Sequence, residues 1–344
     1  MIVSAHWVSR LEAILVRRNS ILPKALGHVL RVVRPGVIET RQARLDDFAT
    51  RRRVSVVAPS DSDPDLFRRL QWGDHWVKYE LTKALGELGY VVTDLEPDVV
   101  IHLFGIPMHL PRRAVKILWH YSHPERMSPE VLARYDRVFC ASEMFAEKIR
   151  TWGFAAETLW PASSRDLVAR PAVYDVVFIG NARADGRRRV VEDMGHPNYR
   201  FRVWGHGYRN LPCRYWAGEY MDYTRLADVY AASIVSLNDH HASMAAEGFL
   251  NPRVFDILAS GGFCISDANP ALTKVFGDAI PQYSMATGLR DLVDFFVQQP
   301  EKRQPLMERG RRVTAAHTWL GVARRLLRGL EPAWDAGTHS RKTK

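Results

Sequence analysis

From residue 54 onward the chain alternates short apolar runs with segments of helical period. Residues 54–58 read as a buried strand and open onto a loop rich in Ser, Asp and Pro that ends at Asp65. Residues 76–88 follow at helical spacing, with Val77, Leu81, Ala84, Leu85 and Leu88 on one face and Gly89 as the stop. The runs 90–92, 99–104, 115–120 and 137–141 predict further strands. After a polar stretch between Pro161 and Pro171 the pattern begins again. Strands are predicted at 174–179, 199–204, 234–237 and 262–266, with helices at 223–232 and around 252–259.

Strands alternating with helices imply parallel sheets, so the fold expected is α/β, with two doubly wound, Rossmann-like domains facing a cleft. The divisions read as an N-terminal extension over 1–53, a first domain over 54–165, a second over 166–318, and a terminal helix with a basic tail over 319–344. No sequence repeat relates the two halves. A length of 344 residues suits two domains of ordinary size.

Charge changes this picture mainly at the start. The net charge is +10, and residues 1–53 hold eleven Lys or Arg against four acids. Such an excess attracts polyanions: nucleic acid, anionic lipid or phosphorylated small molecules. Trp7, Leu11, Ile14 and Leu15, then Leu22, Leu26, Val29, Leu30 and Val33, recur at helical spacing beside Lys24, Arg31 and Arg34. Two basic amphipathic helices are expected, lying either on an anionic membrane surface through residues 1–35 or against the protein itself. No run is long and apolar enough to span a bilayer, and charges at Arg10, Glu12, Arg17 and Arg18 argue against a signal peptide. Three cysteines without a CxxC pair support neither a disulfide framework nor a thiolate zinc site, and a reducing cytoplasm fits best.

Candidate chemistry gathers at strand ends, where open α/β sheets bind ligands. The run 174–179 leads into Gly180, Asn181 and Arg183, with Arg187, Arg188 and Arg189 opening the next helix. Backbone N–H groups at such a turn, with guanidinium groups nearby, suit a diphosphate; a tight turn with a solvated basic face is the alternative. Asn238 and Asp239 end a later strand, and Asn251, Arg253 and Asp256 surround a helix start that Gly261 and Gly262 turn back into a strand. A carboxylate there accepts hydrogen bonds from ribose hydroxyls and an arginine neutralises phosphate. Asn251 equally fits an N-cap with Pro252 at the first helical position.

In the first half His120 and His123 follow an apolar strand, and either is a candidate base or a structural histidine. Asp74 contacts an acceptor or caps its helix. His206, between Gly205 and Gly207, is placed to approach a ligand or to occupy an exposed turn. Trp204, Tyr208, Tyr215, Trp216 and Tyr220 suit stacking or core packing, and none is assigned.

The segments YDVVFIGN, VWGHGY, ADVYAASIVSLN, NPRVFDILASGGFCISD and HTWLGVARRLLRGL resemble the C-terminal half of group 1 glycosyltransferases of the CgeB-like (spore maturation) type, over roughly residues 171–330. WGDHWVKYELTKALGELGY, ILWHYSHPE and YDRVFCASE resemble the acceptor-side domain of the same GT-B architecture. The resemblance implies a nucleoside-diphosphate sugar donor on the second domain, a metal-independent reaction without a further cofactor, and a final helix crossing back onto the first domain. It places Asp256 where such enzymes carry a glutamate for the donor, with Asn251 and Arg253 as its lead-in and Gly261 and Gly262 as its glycine turn. Relatives with two glutamates separate them by seven residues; here Glu247 and Asp256 are separated by eight.

A glycosyltransferase acting on a glycan, lipid-linked or protein acceptor is therefore expected, in envelope polysaccharide, glycolipid or protein glycosylation. A nucleotide-sugar epimerase of the same fold and a non-enzymatic polyanion-binding protein are the alternatives. No helix-turn-helix or zinc-finger signature points to specific nucleic-acid recognition.

Overall fold

The apolar runs form two six-stranded, wholly parallel sheets in a computed structural model that describes residues 53–69, 71–104 and 108–329. The expected extension over 1–52, with its amphipathic helices, and the basic tail beyond 329 lie outside the described residues. No helix among the described residues is long and apolar enough to cross a membrane.

The first sheet comprises β1 (Arg53–Val57), β2 (Val91–Val92), β3 (Val99–Phe104), β4 (Val115–His120), β5 (Arg137–Cys140) and β6 (Glu157–Thr158), in the order β2-β1-β3-β4-β5-β6. The second comprises β7 (Tyr174–Ile179), β8 (Phe201–Trp204), β9 (Trp216–Gly218), β10 (Ser233–Asn238), β11 (Cys264–Asp267) and β12 (Gln282–Tyr283), in the order β12-β11-β10-β7-β8-β9. Direction of winding reverses between β1 and β3 in one sheet and between β7 and β10 in the other. The crevice beyond the carboxyl ends of those strands is the natural ligand position of this topology. The two-domain GT-B architecture expected from the sequence is the one observed.

Helices that shape the site are α1 (Gly73–Glu87), α2 (Glu143–Thr151), α3 (Arg189–Met194), α4 (Leu226–Ala231), α5 (Pro252–Ala259) and α6 (Trp319–Leu327). Pro252 opens α5, where a missing N–H costs nothing, and Gly261 closes it with a φ of +83°. Gly262 N–H donates to the Ile257 carbonyl and Gly261 N–H to the Leu258 carbonyl, a Schellman stop. The last helix, α6, leaves the second domain and joins the first: Trp319, Val322, Ala323, Leu326 and Leu327 are buried in one core with Val77, Leu81 and Leu85 of α1.

Contacts far apart in sequence clamp the domains. Ser142 Oγ–H donates to the Glu247 carbonyl at 2.5 Å, and Lys148 of α2 pairs with the Glu247 carboxylate at 2.6 Å. Tyr223 stacks flat on Trp76 of α1, 4.1 Å between ring centres, while its hydroxyl donates to Glu80 at 2.9 Å. Arg165, from the interdomain linker, covers the Tyr223 ring at 3.8 Å. Glu247 is thus a domain-clamping residue, and it does not line the cleft.

Candidate active site

Between the domains lies a cleft of about 570 Å³, walled by the turns after β7 and β8, the start of α5, and the start of α1 opposite. Its second-domain wall is cationic. Arg188 Nε donates to Asp239 at 2.8 Å, Arg183 lies 3.9 Å from the other carboxylate oxygen, and Arg253 stands 4.0 Å away. Arg253 is aimed by Asn238, whose side-chain oxygen accepts from it at 3.0 Å. Arg188 and Arg253 also cover the Phe178 ring, at 5.1 and 5.2 Å. Three guanidinium groups gather around Asp239 at the β7/β10 switch point, with Asp267 the next nearest acid to Arg183. Burial, reinforced by Arg188, pulls the Arg183 pKa down to about 10 and that of Arg253 below its ordinary value. These cations are partly desolvated and repel each other, a state that an anion relieves.

The turn expected to cradle phosphate with its backbone is otherwise engaged. Gly180 N–H donates to the Trp204 carbonyl, Ala182 N–H to that of His206, and Arg183 N–H to that of Arg187. Side chains, not those amides, are left to meet an anion. Gly180 and Gly205 instead let two turns touch: a Cβ on Gly205 would stand 2.1 Å from the Gly180 carbonyl oxygen. Gly205→Ala is expected to destabilise the fold by about 2–4 kcal/mol, read from denaturant unfolding, because those turns must part.

On α5, Asp256 lies one turn beyond Asn251 and Arg253 at the cleft wall. It accepts from Ser163 Oγ at 2.6 Å and sits 3.7 Å from Arg165 Nε, both in the linker. Burial raises its pKa to about 6, against the pull of Arg165 and Ser163. Asn251 does not cap α5 with its side chain; Nδ2 donates to the Asp239 carbonyl at 3.0 Å, and Oδ1 is buried without a protein partner among the described residues. Asn238 is fully buried behind Arg253, so it positions that arginine and does not face the cleft.

Gly261 and Gly262 are corrected on this point. They terminate α5 on the side away from the cleft, and a Cβ on Gly261 would lie 2.5 Å from Leu167, so their role is helix termination and close packing.

On the first-domain wall Asp74 is 6% exposed and accepts from Ser60 N–H at 2.8 Å, while its Oδ1 is buried with no partner among the described residues. Trp72 holds the formal cap position of α1, yet the Asp74 carboxylate meets the first-turn backbone N–H groups of Asp74 and His75. Burial raises its pKa to about 6, opposed by the Ser60 hydrogen bond. His123 lines the cleft with φ +55°, 2.9 Å from Glu125, its ring 5.5 Å from that of His241.

His120 does not reach the cleft. It is fully buried beside Phe145 and Phe249, 4.0 Å from Cys140 Sγ, and burial drives its pKa down to about 3. A base held neutral in an aromatic core packs; it does not exchange protons with a substrate. His206 lines the cleft, 2.5 Å from Glu219.

Trp76, Tyr223, Ser163 and Arg165 escaped the sequence reading, which named Arg188 and Asp239 only as part of a basic run and a polar strand end. Arg188 was hidden in the run 187–189, where only burial separates it: its side chain is 7% exposed, against 65% and 68% for its neighbours.

Residues 183–328 match the family described as "Glycosyl transferase-like". No curated protein matches the chain by sequence. Among solved structures the fold is similar to T4 phage β-glucosyltransferase in complex with UDP and Mn2+, at 11% identity and a TM-score of 0.55, over 81% of this chain and 99% of that one. It is also similar to AviGT4, a glycosyltransferase involved in avilamycin A biosynthesis, at 16% identity and 0.52, over 81% and 96%. Sucrose-phosphate synthase from Thermosynechococcus elongatus aligns at 13% identity and 0.50, over 77% and 78%. A glycosyl transferase-like segment thus makes up most of the second half of a chain with the GT-B fold.

Proposed function

We propose that the chain transfers a sugar from a nucleoside-diphosphate donor, held by the second domain, to an acceptor hydroxyl presented by the first. One observation carries this reading: Arg183, Arg188 and Arg253 gather at the β7/β10 switch point, where a donor brings its negatively charged diphosphate. Asn251 and Asp256, one turn away, receive ribose or sugar hydroxyls. Gly180, Asn181 and His206 complete the donor wall. The guanidinium groups supply the positive charge that a metal would otherwise bring, so the reaction needs none.

Across the cleft Asp74 takes the acceptor's proton: its carboxyl lines the cleft, and burial raises its pKa to about 6. His123 orients the acceptor alongside it. Within glycosyltransferases we place the chain in the CgeB-like (spore maturation) subgroup, on the motifs that resemble it. Its acceptor is a glycan, glycolipid or protein in envelope or protein glycosylation. The basic residues 1–35 favour work at the inner face of a membrane, with the chain cytoplasmic.

Thermal melting against UDP, GDP, dTDP and their sugars tests the reading. One nucleotide family is expected to raise the melting temperature, by the equivalent of about 2.7 kcal/mol at a hundredfold excess over Kd. No shift with any of them, or steeply salt-dependent binding to DNA or anionic vesicles alone, refutes it. Donor turnover without acceptor would reveal an epimerase instead.

A further inference from the structure

Beside the arginine cluster stands a second polar unit that the donor reading leaves without chemistry. His206 is pinned at three points: its backbone N–H donates to Asn181 Oδ1 at 3.0 Å, its Nδ1 lies 2.5 Å from Glu219, and its ring lies 5.8 Å from Tyr220, tilted by 17°. Nε2, the remaining polar atom of the ring, is buried with no partner among the described residues. Asn181 ties this unit to the cations, since its carbonyl accepts from Arg188 at 3.1 Å. Glu219 therefore fixes the orientation of the ring, with Nδ1 toward the carboxylate and Nε2 on the far side.

The donor's diphosphate carries two negative charges, which face the arginine cluster. Once the sugar leaves, the terminal phosphate carries close to one more, because its second pKa is about 6. That leaving oxygen is where one further hydrogen-bond donor, beside the arginines, acts.

We propose that His206, held by Glu219, is the proton donor to the departing nucleoside diphosphate; this rests on the donor site described under Proposed function. The bond from the anomeric carbon to the phosphate oxygen breaks, its electron pair stays on that oxygen, and the Nε2 proton passes to it. The acceptor oxygen bonds to the sugar and releases its proton to Asp74. Solvent then returns a proton to His206 and takes one from Asp74. Glu219 is a positioning residue. The other charged or titratable groups beside the ring are Tyr220 from the segment after β9 and, beyond Asn181, Arg188.

The test uses calorimetric titration and kinetics of the full chain with UDP and UDP-glucose, GDP and GDP-mannose, or dTDP and dTDP-glucose, whichever pair the wild type binds. His206→Gln is expected to lower kcat by about 100-fold. It weakens the nucleoside diphosphate about tenfold and its sugar ester by less than about threefold, because the third charge exists only on the former. Glu219→Gln shows the same selectivity at roughly tenfold in kcat, and Glu219→Asp restores most of it. If His206→Gln fails to fold, the Glu219 pair carries the test alone. Equal losses for both ligands, or unchanged kcat, overturn the assignment while leaving the donor site intact. A wild type that binds none of the six ligands overturns the donor site and this inference together.

Discussion

Arg253→Ala is expected to lower kcat/KM by about 10²–10³-fold and to abolish the nucleotide-induced rise in melting temperature. The size follows from how this guanidinium is held. Its side chain lies on Phe178 at 5.2 Å and is aimed by Asn238 at 3.0 Å, within a cluster where burial and Arg188 already press its pKa down. An anion entering the cleft meets a donor that needs no reorganisation, and loss of one such donor in a dry site is worth roughly 3–4 kcal/mol. Folding should suffer less, because the substitution also relieves repulsion from Arg188, and the ligand-free melting temperature is expected to move by only a few degrees. Arg253→Lys should recover only part of the activity: an ammonium keeps the charge but not the planar fork that spans Asn238 and a phosphate. Steady-state kinetics beside ligand-free and ligand-bound melts check each part.

Asp74→Asn has an opposite sign in activity and in stability. As the proton acceptor, Asp74 must be ionised, so kcat should rise with pH through about 6 in the wild type. The variant should lose about 10²–10⁴-fold in kcat and show no acid limb. The same raised pKa makes the charged carboxyl an unfavourable guest in the folded state. Its folded value, about 6, exceeds the ordinary 3.8, so stability is full below the ordinary value and falls as pH rises through the folded one. Asparagine removes that penalty and still accepts from Ser60, so the variant should be more stable near pH 8 by about 1–3 kcal/mol and little changed near pH 3. Equal stability at both ends, with the acid limb retained, would assign the proton to another group.

Much of the architecture was legible before any coordinates. The runs at 54–58, 99–104, 115–120 and 174–179 became β1, β3, β4 and β7 with ends displaced by at most one residue. Continuous apolar runs of that length, broken by amphipathic helices, have no other way to satisfy their backbones than a buried parallel sheet. Short edge strands such as β6 and β12, two residues each, left no comparable trace. The predicted helix at 223–232 begins as a single tight turn at Tyr223–Arg225 and becomes α-helical only from Leu226, because Asp222 caps that turn through Thr224.

The site divides along the same line. Asn251, Arg253 and Asp256 could be grouped from sequence because a helix start holds them within one turn, where spacing alone dictates proximity. Arg188 and Asp239, 51 residues apart, meet only because β7 and β10 are neighbours in the sheet. His120 and His123 look equivalent as letters, yet one packs between two phenylalanines and the other lines the cleft. The amino-acid order alone determined the parallel sheets, the two halves and the stretch of chain that carries the cationic site, since these depend on local period and on burial of apolar side chains. Which side chains face the cleft, which pKa values move, and how Glu219 and the linker's Ser163 hold their partners were decided by tertiary structure, because desolvation and charge pairing depend on neighbours that only folding supplies.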